Sequence, residues 1–131
     1  MLQKVLVVDD EPLLRQFASA HLKSLGYEVV CAASGPEALA VLEYDQEFAL
    51  LFTDVVMPHM SGVELARRMR AAGHSMEVVT GYSKEVFDKE GPPEPGAVLL
   101  HKPYRRAQVA EVLAFLLADE SAEVEGPRAA L

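Results

Sequence analysis

Five short apolar runs punctuate this 131-residue chain, and between them apolar side chains recur at helical spacing. The runs are KVLVV (4–8), EVVCA (28–32), FALLFT (48–53), MEVVT (76–80) and AVLL (97–100). Near-continuous, β-branched runs of this length suit strands covered on both faces, which is how parallel sheets are built. After the first run, Leu14, Phe17, Ala18, Leu22 and Leu25 predict a helix with that stripe turned inward, closed by Gly26. Ser34-Gly35-Pro36 opens a second helix, with Pro36 at its first position. Ser61 and Glu64 read as a capping box for a third, whose inward residues are Gly62, Leu65, Ala66 and Met69. Val109, Val112, Leu113, Leu116 and Leu117 give the last helix its inward face.

The regular alternation weakens once. Only Ser83 to about Lys89 can be helical before Gly91-Pro92-Pro93-Glu94-Pro95-Gly96, a stretch that no helix can continue through. A short or degenerate fourth helix is therefore expected. Strand–helix alternation with short links predicts an α/β fold, a flavodoxin-like doubly wound parallel sheet with helices on both faces. For five strands of this type the expected order is 2-1-3-4-5. The domain is expected over residues 1–118. The acidic DESAEVEGPRAAL segment (119–131) carries no apolar stripe and reads as a frayed tail.

Charge narrows the possible partners. A net charge of −8 with only 12 scattered Lys and Arg residues disfavours a nucleic-acid surface, which needs concentrated positive charge. Arg67, Arg68 and Arg70 form the densest basic group and read as a solvated helix face. No run is long enough to span a bilayer and no signal peptide is visible, so a cytoplasmic protein is expected, with neither membrane nor nucleic acid among its partners. The lone Cys31 cannot form an internal disulfide and reads as a small core residue.

In such a sheet every strand ends on the same edge, so residues just past the strands meet there. Here those residues are Asp9 and Asp10, Asp54, Thr80 and Lys102. Carboxylates crowded at one edge invite a cation, and a hydroxyl beside an ammonium suits a phosphoryl group. Singly, each has a plainer reading. Asp9 or Asp10 could cap the helix beginning near Glu11 and Pro12, Asp54 could cap the next turn, and Lys102 could be a surface residue.

Together, VLVVDDEP, FTDVVMPHMSGVEL, VVTGYS and LLHKPY resemble the receiver domain of two-component response regulators over roughly residues 3–117. The resemblance implies that Asp54 accepts a phosphoryl group from a histidine kinase or phosphotransfer protein. It implies Mg²⁺ held by Asp10, Asp54 and the main-chain carbonyl of Val56, with Asp9 acting mostly through water. Thr80 would bond a phosphoryl oxygen, Lys102 would neutralise its charge, and the Lys102–Pro103 bond would be cis. The chain would catalyse only its own phosphorylation and slow dephosphorylation, and so would not be an enzyme toward an outside substrate. With no output domain following, an unknown downstream protein partner is expected to read the phosphorylated state.

Two departures from the family pattern stand out. Leu99 occupies a strand-five position where many receivers carry an aromatic switch residue, and Tyr104 lies on the wrong side of the site to replace it. Val56 and Tyr82 give an attacking water no good acceptor, which implies slow hydrolysis, and Gly81 reads as room for a phosphodonor to enter. Three rival functions sit on the same fold. A flavin module would need a phosphate loop where Asp9-Asp10-Glu11 stands, and an aspartate-dependent phosphatase would need a second acid at Val56. A scaffold that is never phosphorylated would not need all four site residues.

Overall fold

Apolar runs and helical stripes assemble into a three-layer sandwich in the computed structural model, which describes residues 2–90 and 96–118. The elements are β1 (Lys4–Val8), α1 (Pro12–Ser24), β2 (Glu28–Ala32), α2 (Gly35–Tyr44), β3 (Leu50–Asp54), α3 (Gly62–Ala71), β4 (Glu77–Tyr82), α4 (Lys84–Glu90), β5 (Val98–His101) and α5 (Arg106–Leu116). All strand pairs are parallel, as the alternation predicts, and the order is β2-β1-β3-β4-β5, the one expected of the flavodoxin-like type.

Neighbouring residues on each strand go to opposite faces, and each face packs its own pair of helices. Leu6, Val8, Leu51 and Val78 pack with Ala38 and Leu42 of α2 and Leu65 and Met69 of α3. Val5, Val7, Leu50, Phe52 and Val79 pack with Leu22 of α1 and Val109 and Leu113 of α5. Each fully buried leucine contributes about 1.5–3 kcal/mol of apolar transfer energy. Two such layers clamp β1, β3 and β4 and so fix the edge where those strands end.

Strand ends differ from expectation. β3 starts two residues late and includes Asp54, while β4 and β5 run on to Tyr82 and His101. Tyr82 pairs with His101, and the Lys102 N–H donates to the Tyr82 carbonyl at 2.7 Å, which keeps the ladder closed beyond Thr80. Thr80 is therefore an interior residue of β4. The fourth helix is short, as predicted, and the Ser83 hydroxyl accepts from the Val86 N–H at its start. The Pro-rich stretch at 91–95 and the tail at 119–131 lie outside the described residues.

Local details also move. Glu11 is the N-cap residue of α1 and not a first-turn residue, because Pro12 already occupies the first helical position. Pro36 falls one place into α2, which begins at Gly35 under the Ser34 cap. The capping box of α3 is half made. The Ser61 hydroxyl accepts from the Glu64 N–H, but the Glu64 carboxylate turns outward to Arg67 and Arg68. Cys31, on edge strand β2, is only partly buried. The largest correction concerns α1. Leu22 is buried, yet Leu14 is 41% and Phe17 68% exposed, so much of the predicted inward stripe faces outward.

Candidate functional site

β1, β3 and β4 end side by side because they are paired in register. Val8 lies opposite Thr53, Thr53 opposite Thr80, and Asp54 opposite Gly81. One carboxylate oxygen from each of Asp9, Asp10 and Asp54 falls within 4.8 Å of the others. The Asp9 carboxylate also accepts from the Glu11 N–H at 3.0 Å, which fixes the turn into α1. Burial pushes the Asp9 carboxyl above its usual range, and the nearby Asp54 and Asp10 charges push it the same way, against the Glu11 N–H and Lys102. A divalent cation would relieve that repulsion, so the donor set fits a hard metal ion.

Asp54 is held by its neighbours through one oxygen. Its Oδ1 takes the Lys102 ammonium at 2.9 Å and the Val55 N–H at 2.8 Å. Oδ2 has no hydrogen-bond partner among the described residues, so it is free to act as a ligand or a nucleophile. Val56 follows in the loop after β3 with its side chain half exposed. That loop is shaped by His59, which adopts a left-handed backbone (φ 70°), and by the Gly62 N–H donating to the Val55 carbonyl at 2.8 Å.

Thr80 is 1% exposed, and among the described residues its hydroxyl has no hydrogen-bond partner. An orphaned buried hydroxyl costs about 1–3 kcal/mol, so native structures rarely keep one without a use. Leu99 pairs with Thr80 across the ladder and supplies no aromatic ring there. The Lys102–Pro103 peptide is cis, in line with the sequence resemblance.

Gly81 does not leave an entry path. A Cβ there would lie 3.1 Å from Lys102 Cε and 3.2 Å from Tyr104 Cε2, so those side chains already occupy the space. Tyr104 stands edge-on to Phe52 at 5.8 Å, on the face opposite Thr80. Burial, then the Asp9 and Asp54 carboxylates, push its phenol up to about 12, so it stays protonated. Sequence reasoning missed this residue's place at the site, because nothing in LLHKPY shows that the chain folds back over β4. Tyr82 packs its ring against Phe87 and His101.

Beside the acidic cluster runs an apolar groove of about 410 Å³. Leu14, Phe17, Ala18 and His21 of α1 form one wall, and Pro103 and Tyr104 the other. Asp9 and Lys102 close the end toward Asp54. Among the described residues, no helix is long and apolar enough to cross a membrane.

Comparison with known proteins agrees with this geometry. Residues 5–114 match the model of the response regulator receiver domain. The response regulator receiver protein CpdR of Brucella abortus is 31% identical over 120 residues, covering 89% of this chain and 99% of CpdR. The sensor kinase CckA of the same organism is 35% identical over 116 residues, which is 86% of this chain but only 12% of the kinase. The chain thus spans a small fraction of that larger relative. In fold, it superposes with a TM-score of 0.80 on the receiver domain of sensor histidine kinase PA1611 from Pseudomonas aeruginosa, at 22% identity, covering 91% of this chain and 100% of that one. That structure has a magnesium ion coordinated in its active-site cleft. The chain therefore belongs to the response regulator receiver domain family of two-component signalling.

Proposed function

We propose that Asp54 is the phosphoacceptor of this receiver and that Mg²⁺ is its cofactor. The observation that carries the reading is the state of the Asp54 carboxylate. One oxygen is pinned by Lys102 and Val55 and the other is uncommitted, on a carboxylate that clusters with Asp9 and Asp10. Asp54 Oδ2 attacks the donor phosphorus, the new O–P bond forms, and the bond from phosphorus to the donor breaks with its electron pair leaving on the donor. Lys102 then balances the charge of the phosphoryl oxygens, and the Thr80 hydroxyl donates to one of them. Asp10, Asp54 and the Val56 carbonyl would hold the metal, with Asp9 at one remove. When bound, Mg²⁺ supplies charge neutralisation for the transferring group. The chain acts on itself and is no enzyme toward an outside substrate.

Mixing the protein with acetyl phosphate and Mg²⁺ is expected to add one phosphate by intact mass. Asp54→Asn or excess chelator should abolish it. Equal labelling of wild type and Asp54→Asn would remove Asp54 from the role.

The protein phosphodonor, a histidine kinase or phosphotransfer protein, is proposed to dock on the α1 groove. Large apolar side chains left in water next to a reactive carboxylate mark a partner surface. Exposed Phe17 is its most prominent anchor. A central aromatic anchor is worth about 2 kcal/mol, so Phe17→Glu should slow transfer from the kinase that phosphorylates wild type roughly 30-fold. Labelling by acetyl phosphate should not change. Equal slowing with both donors would place Phe17 in the fold and not in the interface.

A further inference from the structure

We infer that Gly81 and Tyr104 form a seat that holds the Lys102 side chain against Asp54, which makes Tyr104 a positioning residue for phosphoryl acceptance. The inference rests on the phosphoacceptor reading of Asp54 but assigns work to two residues that reading does not use.

Lysine carries four rotatable bonds, and an exposed ammonium gains entropy by leaving a partner. Something must restrict Lys102, whose side chain is 31% exposed, if it is to stay 2.9 Å from Asp54 Oδ1. Its backbone is tied to β4 through the Tyr82 carbonyl, so its side chain runs back across Gly81. A Cβ on Gly81 would stand 3.9 Å from Lys102 Cγ and 3.1 Å from Cε, so the missing side chain is the track on which the lysine lies. The same point is 3.2 Å from Tyr104 Cε2, so the tyrosine ring fills the rest of that space. Phe52 holds the ring edge-on. The void left among Asp9, Asp54, Gly81, Lys102 and Tyr104 is about 10 Å³, barely the room one water needs. On the Gly81 side the lysine stem is therefore walled by protein, while its other side faces the α1 groove.

A methyl at Gly81 would stand closer than ordinary contact to both neighbours, so one of them must give by a few tenths of an ångström. The ring is braced by Phe52, whereas the lysine is a flexible chain held at its tip by one ion pair, so Lys102 gives way. Removing the ring frees the lysine from its other side. Doing both restores space for the lysine beside the new methyl. The two residues should thus be coupled in sign as well as size.

Wild type, Gly81→Ala, Tyr104→Leu, the double variant and Tyr104→Phe should be compared in two measurements. The first is the rate of phosphate uptake from acetyl phosphate with Mg²⁺, at saturating and half-saturating donor. Small displacements of a catalytic group cost on the order of tenfold, so each single variant should lose about that much in saturated rate. The double variant should come back to within about threefold of wild type, and Tyr104→Phe should behave as wild type because the ring matters and not the hydroxyl. The second is the Lys102 ε-carbon resonance of lysine-labelled, metal-free protein. It should move toward the position of a solvated lysine in each single variant and return in the double. Single effects that simply multiply in the double variant, or a Tyr104→Leu protein with unchanged rate and resonance, would overturn the seat. A wild type that takes no phosphate would overturn the function instead, and the resonance would still judge the seat.

Discussion

Gly62→Ala is expected to destabilise the protein by about 3 kcal/mol and to cut phosphorylation of Asp54 roughly 100-fold. Gly62 is the first residue of α3, and a Cβ built there falls 2.1 Å from the Asp54 carbonyl oxygen and 3.1 Å from Thr53 Cγ2. The carbonyl belongs to β3 and also accepts from the Thr53 hydroxyl at 3.0 Å, so no rotamer change can relieve the clash. Either α3 withdraws or the end of β3 is pushed aside, and the second moves the Asp54 backbone itself. Against total stabilities of about 5–15 kcal/mol this is a severe loss. Gly35→Ala is the control. Its Cβ would meet Met60 Sδ at 2.6 Å and Cβ at 2.9 Å; the thioether can turn away and the Met60 backbone need shift only a little, so the cost should be smaller, about 2 kcal/mol. Chemical denaturation measures both, and a Gly62→Ala protein within 0.5 kcal/mol of wild type would show that the α3–β3 approach is looser than described.

Thr80→Val should split stability from response. Valine matches threonine in shape and removes the orphaned hydroxyl, so the unphosphorylated protein should gain about 1 kcal/mol, or roughly 4 °C in Tm for a domain of this size. With Mg²⁺ and beryllofluoride as phosphoryl mimic, wild type should gain stability and the variant should gain much less, because the donor that would meet the fluoride is gone. Thermal melts in both conditions decide it. A variant destabilised alone, yet fully responsive to beryllofluoride, would mean that the hydroxyl has a structural partner and no part in the site.

The sheet and its edge were legible because parallel strands must be apolar on both faces, and the residues that end such runs have nowhere else to go. Asp9, Asp10, Asp54 and Lys102 meet as their positions after KVLVV, FALLFT and AVLL require. What could not be read was which apolar residues turn outward. Leu14 and Phe17 keep the helical spacing of Leu22, and periodicity does not distinguish a core stripe from a stripe kept for a partner. The Gly81–Tyr104 contact was hidden for another reason. It joins β4 to the chain after β5, and no spacing along the sequence encodes a close approach between separate elements. Glu64 shows the remaining limit. It stands where a capping box needs it, but two arginines one turn on compete for its carboxylate and win.

Where the phosphate goes is the most direct test. An acyl phosphate is reduced by borohydride to an alcohol, so treating the Mg²⁺ and acetyl phosphate reaction with borohydride and mapping the peptides marks the acceptor permanently. Homoserine at position 54, with Asp9 and Asp10 unchanged, is the expected result. Homoserine at Asp9 or Asp10, or an unmodified Asp54 in protein that has gained phosphate, would contradict the assignment of this site.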